Sequence, residues 1–128
     1  MFAADLMKHI DVPCEISFMK FSSYQGTQTS GVVKEAIGLN QSIEGRNVIV
    51  VEDIVDTGIT IEGVIASLRA QGAKSITVAT FLQKPAALIR DVKVDYVAIK
   101  IPNDFIVGYG LDYDGFGRNL KDIYTVIN

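Results

Sequence analysis

Two apolar runs constrain this chain more than any other feature. They are "NVIVVED" at residues 47–53 and "SITVATFLQK" at 75–84, and one helical segment lies between them. Both are rich in β-branched residues and lack polar alternation, so they read as strands buried on both faces. The segment "TIEGVIASLRAQG", at 60–72, puts Ile61, Val64, Ile65 and Leu68 on one helix face and has Gly72 as its C-terminal stop. Strand, helix and strand in that order indicate a βαβ unit and a parallel sheet. The expected fold class is α/β, an open and mainly parallel sheet with flanking helices.

The remaining segments fit around that unit. "MFAADLMKHI" reads as an amphipathic helix with Phe2, Leu6 and Ile10 on one face, stopped by Pro13. "CEISFMKF", at 14–21, alternates apolar residues as a strand does, and "VVKEAIG", at 32–38, reads as its returning partner. The polar loop 22–31 joins them, and loops of that length are often functional. "DYVAIKIP", at 95–102, is a further strand. Residues 105–120, rich in Gly and Tyr, read mostly as loop, and 122–128 as a short final strand.

With 128 residues and 48% apolar content, the chain suits a single domain spanning 1–128. A net charge of −3 implies no broad basic face, so nucleic acid is not an expected partner. No apolar run reaches the ~18 residues of a membrane span. The N-terminus lacks the basic start and apolar core of a signal peptide. Cys14 is the only cysteine, so no internal disulfide forms, which suits a reducing compartment. A cytoplasmic location is expected.

The first run ends abruptly in "EDIVDTGIT", at 52–60. In open α/β sheets, ligands bind beyond the carboxyl ends of the strands. Residues 56–60 form the turn into the helix, whose N-terminus offers N–H groups and partial positive charge to an anion. Thr57 and Thr60 add hydroxyl donors, and Gly58 lets the backbone curl close to a ligand. This turn could cradle a phosphate. Glu52 and Asp53 cannot, but they suit sugar hydroxyls or a divalent cation. Together the set asks for a phosphorylated sugar. The plainer reading of each residue alone is helix capping and a solvated strand end. The usual nucleotide signatures, GxGxxG and GxxxxGK[ST], are absent.

"VIVVEDIVDTGIT" closely resembles the phosphoribosyl pyrophosphate motif of type I phosphoribosyltransferases. The rest resembles the hypoxanthine-guanine branch of that family: "FMKFSSYQG" its mobile second loop, "FLQKP" its lysine segment, and "IPNDFIVGYGLDYDGFGRNL" its base- and metal-binding segment. Four motifs in this order span essentially the whole chain. The family's members carry a further strand and a pyrophosphate-contacting loop before the helix at Phe2, and that part of the pattern is not found here.

The resemblance implies a purine-salvage transferase. It moves 5-phosphoribosyl from phosphoribosyl pyrophosphate to hypoxanthine or guanine, with magnesium, as a dimer or tetramer. It implies Asp56 as proton acceptor for the purine N7, and a phosphate and ribose site of Glu52, Asp53, Asp56, Thr57, Gly58, Ile59 and Thr60. Lys84 would donate to the 6-oxo group, Phe105 would stack on the base, and the Ile106 backbone would read its exocyclic edge. Asp112 would bind magnesium, with Glu52 and Asp53 nearby. Arg118 would face pyrophosphate, and the loop with Ser23 and Tyr24 would close over the site. Two other readings stand beside this one. The first is a non-catalytic nucleotide-binding fragment or regulator of the same fold. The second is a phospho-acceptor receiver domain, which the single helix between Asp53 and Lys84 disfavours.

Overall fold

The chain runs α1 (Phe2–Met7), β1 (Lys20–Ser23), β2 (Val33–Ile37), β3 (Asn47–Val55), α2 (Ile59–Ala70) and β4 (Ser75–Gln83). A 3-10 turn over Pro85–Ala87, β5 (Tyr96–Lys100), β6 (Ile106–Val107) and β7 (Tyr124–Thr125) complete it. This computed structural model describes residues 1–23 and 33–127. The central sheet has the order β3-β4-β5 and is wholly parallel. Its register sets Val50 opposite Val78 and Glu52 opposite Thr80. Two antiparallel pairs, β1 with β2 and β6 with β7, flank it. The expected βαβ unit is β3-α2-β4, and the fold class is the α/β one read from the sequence.

The helix stripe does what its spacing predicts. Ile61, Val64 and Leu68 are buried against Val55 and Val78, with Ile43 closing the cluster. Each such side chain contributes ~1.5–3 kcal/mol when fully buried. The sheet's other face takes α1, where Phe2 stacks on Phe81 at 5.3 Å and Phe81 packs on Tyr109 at 5.3 Å. The Tyr109 hydroxyl donates to the Asp5 carboxylate of α1.

Four sequence expectations need correction. The first helix ends at Met7, well before Pro13, and 3-10-type bonds from His9 N–H to Leu6 and Ile10 N–H to Met7 finish it. Of the strand expected over 14–21, only Lys20 onward pairs, and it runs on through Ser23. Residues 14–18 stay exposed and are tied instead by Glu15, which accepts from Arg46 at 2.9 Å and Gln41 at 3.1 Å. The strand at 47–53 continues to Val55, so Glu52 and Asp53 lie inside it. It is also not buried on both faces: exposure alternates along it, and Ile49 is 61% exposed. As an edge strand, β3 has a neighbour on one side only among the described residues. The expected loop from 24 onward, with Tyr24, lies outside the described residues.

The segment after β5 is held by its own backbone. Val126 N–H donates to Phe105, Tyr109 N–H to Leu120, and Gly110 N–H to Arg118. Gly108, at φ 105°, lies where any Cβ would run into the Asp122 carbonyl oxygen. That close approach requires glycine at 108, while the rest of the stretch stays mostly loop, as its sequence reads.

Candidate active site

The site grows from the end of β3. Lys84 N–H donates to the Val55 carbonyl at 3.0 Å, which brings the end of β4 beside the turn that begins at Asp56. Gly58 is the N-cap of α2, with φ 87° and ψ −5°, a left-handed conformation that favours glycine. Thr57 Oγ1 accepts from Ile59 N–H at 3.3 Å. The first intrahelical bond is Glu62 N–H to Gly58 at 3.0 Å, so the Thr60 and Ile61 N–H groups precede it. These are the groups a helix start offers to an anion. Capping therefore falls to Gly58 and Thr57, and the Asp56 carboxylate takes no part in it.

A cleft of about 250 Å³ opens over this turn. Glu52, Ile54, Val55, Asp56, Thr57, Gly58, Thr60 and Ile61 line it. Five of these are polar or glycine residues singled out from the sequence. Asp53 is not among the lining residues. Successive strand residues point to opposite faces, and the exposed Asp53 carboxylate accepts the Ile54 N–H at 2.7 Å. The acidic pair is thus split, with Glu52 toward the cleft. Burial, and then the charge of Asp53, push the Glu52 carboxyl up to about 7. A carboxyl near half protonation can both donate to and accept from a sugar hydroxyl.

Lys84 is the one residue whose setting differs most from a solvated strand end. It is only 7% exposed, and its Nζ lies 3.7 Å from Asp56 Oδ2. A buried ammonium needs a partner, and the half-exposed Asp56 supplies it. Nothing local in the residues around either position marks this pairing.

Phe105, Ile106, Asp112 and Arg118 gather in the C-terminal segment and do not line the cleft. Ile106 pairs with Thr125 in β6 and β7. Phe105 is 55% exposed and meets Tyr113 edge-on at 5.6 Å. Arg118 binds Asp112 Oδ1 at 2.8 Å and donates to the Gly110 carbonyl at 2.7 Å, while Asp112 Oδ2 accepts from Gly115 N–H at 2.8 Å. Asp112 and Arg118, read separately as metal and pyrophosphate ligands, are therefore each other's partner here. Sequence reasoning missed the segment at 85–92, which holds the turn from behind. The Thr57 carbonyl accepts from Ile89 N–H at 2.9 Å and Arg90 N–H at 3.3 Å. No polar side-chain chemistry marks those positions: the hydrogen bonds are main-chain, and the side-chain atoms that approach the turn are carbons.

A parallel α/β sheet whose strand end and following helix start open one cleft, with a buried lysine paired to the cleft's Asp56 rather than lining it, has the layout of a small-molecule site at a strand's carboxyl end. The family model for the phosphoribosyl transferase domain matches residues 1–114. The hypoxanthine-guanine phosphoribosyltransferase of Bacillus subtilis (strain 168) is 46% identical over 123 residues, covering 95% of this chain and 68% of that protein. Its counterpart in Mycobacterium tuberculosis (strain ATCC 25618 / H37Rv) is 44% identical, covering 98% and 63%. A crystal structure of a hypoxanthine phosphoribosyltransferase from Staphylococcus aureus superposes with a TM-score of 0.93 at 41% identity, covering 98% of this chain and 69% of that one. The Trypanosoma cruzi hypoxanthine phosphoribosyltransferase in complex with the product IMP superposes at 0.88 and 38% identity, covering 97% and 67%. The chain spans about two thirds of the length of these relatives. It belongs to the phosphoribosyltransferase family and, within it, to the hypoxanthine-guanine phosphoribosyltransferases, which sets aside the receiver-domain reading.

Proposed function

We propose that this protein transfers a 5-phosphoribosyl group from phosphoribosyl pyrophosphate to hypoxanthine or guanine, in purine salvage. The observation that carries the reading is the cleft over the Asp56–Thr60 turn, with the buried Lys84 ammonium paired to Asp56. The 5-phosphate sits on the N–H groups and hydroxyls of Thr57 and Thr60. Gly58 and Ile59 shape that turn. Glu52 receives the ribose hydroxyls, with Asp53 behind it. Lys84 donates to the 6-oxo group, Phe105 stacks on the base, and the Ile106 backbone reads its exocyclic edge.

The C1–O bond to pyrophosphate breaks as the purine N9 bonds to C1, through a transition state with oxocarbenium character. The purine gives up its N7 proton to Asp56. Charge on the departing pyrophosphate is met by Arg118, once it exchanges Asp112 for the anion. By the family resemblance, the loop with Ser23 and Tyr24 would serve to keep water from competing as nucleophile.

Magnesium, as bound cofactor, supplies further neutralisation of the pyrophosphate. Among the described residues, no group of three or more His, Cys, Asp or Glu could hold a cation alone. Glu52, Asp53 and Asp112 do not form one cluster. Any magnesium here would be held by one or two of these carboxylates together with substrate phosphates and water. The reading includes one domain over 1–128, a cytoplasmic setting and a dimer or tetramer, for which the exposed Ile49 and Val51 of edge strand β3 offer apolar surface. The reading names no nucleic-acid or membrane partner. Among the described residues, no helix is long and apolar enough to cross a membrane.

The test is purine-dependent release of pyrophosphate, with hypoxanthine, guanine and adenine compared. Lys84→Gln should weaken binding of 6-oxopurine nucleotides by ~1.5–3 kcal/mol, the worth of a desolvated charge-assisted hydrogen bond. Adenine nucleotides should change little. Equal losses for both would remove Lys84 as the reader of the 6-oxo group.

A further inference from the structure

The space a side chain at Gly58 would take is already filled by the segment that follows Lys84. A Cβ at this position would lie 3.0 Å from Leu88 Cδ1, 3.1 Å from Val92 Cγ2 and 3.3 Å from the Arg90 Cβ. All three neighbours belong to the segment that leaves Lys84. The same segment sends two N–H groups, from Ile89 and Arg90, onto the Thr57 carbonyl. A further ion pair joins Arg90 Nε to Glu62 Oε1 at 3.8 Å, though both side chains are exposed and such pairs contribute little. The turn is thus clamped between its own helix and a strap that begins at the base-reading lysine. Leu88 is the apolar end of that clamp. It is half-buried, packs on the core cluster and does not line the cleft.

We infer that Leu88 is a positioning residue for the phosphate turn: its side chain, seated on Gly58, holds the left-handed N-cap that aims the Thr57–Thr60 groups at the 5-phosphate. The inference rests on the reading of that turn as the phosphate site. The physical reason is pre-organisation. Hydrogen-bond donors held in place bind an anion without a further ordering penalty, and donors that drift must be ordered by the ligand. Leu88→Ala removes the contact over Gly58 and leaves every ligand-facing group intact. Space opens above the N-cap, and the turn gains freedom.

A loss confined to the phosphate separates positioning from mere stability. Affinities for guanosine monophosphate and guanosine, which differ only in the phosphate, should be measured by calorimetry on the parent, Leu88→Ala, Leu88→Val and Leu88→Met. We expect Leu88→Ala to weaken the monophosphate by about tenfold, comparable to one misaligned charge-assisted hydrogen bond, and to leave guanosine within about twofold. Leu88→Val should fall between parent and Ala, and Leu88→Met, close in volume, should restore parental affinity. If Leu88→Ala does not fold, the Val and Met pair still carries the comparison. Equal weakening of both ligands, or no weakening of the monophosphate, would overturn the inference while leaving the phosphate site standing. A parent that binds guanosine as tightly as its monophosphate would instead remove the phosphate site, and the inference with it.

Discussion

Asp56→Asn should abolish most turnover while sparing nucleotide binding. Asparagine nearly matches aspartate in shape, and its amide oxygen can still face Lys84 Nζ, which lies 3.7 Å from the Asp56 carboxylate as an ion pair rather than a hydrogen bond. What it cannot do is take the purine N7 proton. A positioned general base is worth ~10²–10⁴ in rate, and the loss should fall in that range. The turn itself should survive, because its caps are Gly58 and the Thr57 hydroxyl rather than Asp56. Steady-state kinetics with guanine, beside calorimetric binding of guanosine monophosphate, separates the two effects. Unchanged turnover would leave Asp56 only as the counter-charge of a buried lysine.

The second large effect concerns Glu52 and is read on the unliganded protein. Its carboxyl is raised from an ordinary 4.5 to about 7 by burial and by Asp53. The folded state therefore keeps a proton that the unfolded chain has already released. Stability from this group is fully present below pH 4.5 and is lost as pH rises to 7. At 1.36 kcal/mol per pH unit, the rise corresponds to roughly 3 kcal/mol as an upper figure. Glu52→Gln stays neutral throughout and escapes that loss. Relative to the parent, its stability should gain about 2–3 kcal/mol between pH 4.5 and pH 8, with most of the change below pH 7. Urea denaturation at several pH values measures this. A difference that does not vary with pH would show that Glu52 is not held in a desolvated place.

The βαβ unit was legible because helix periodicity and β-branched runs are local signals. Ile61, Val64 and Leu68 went where their spacing sends them. The turn at 56–60 was legible for the same reason: glycine at a helix start and hydroxyl residues beside it are a local pattern. What could not be read was anything set by long-range approach. The Lys84–Asp56 pair exists because β4 ends beside β3, and a sequence does not state how far side chains reach across a sheet. The exposure of Ile49 reflects β3's position at the sheet edge rather than the residue's character. The split of Glu52 and Asp53 follows from the strand running on to Val55, since two more residues in the ladder fix which acid faces the cleft. The bond between Asp112 and Arg118 was hidden because the two residues were assigned to different ligands.

A crystal structure with guanosine monophosphate tests at once whether the turn holds a phosphate and whether Lys84 reads a 6-oxopurine. The phosphate oxygens should lie at hydrogen-bond distance, about 2.7–3.2 Å, from the backbone nitrogens and hydroxyls of the Asp56–Thr60 turn. The purine O6 should lie within the same distance of Lys84 Nζ, with Asp56 Oδ2 facing N7. A nucleotide bound elsewhere, with that turn empty, would contradict the account.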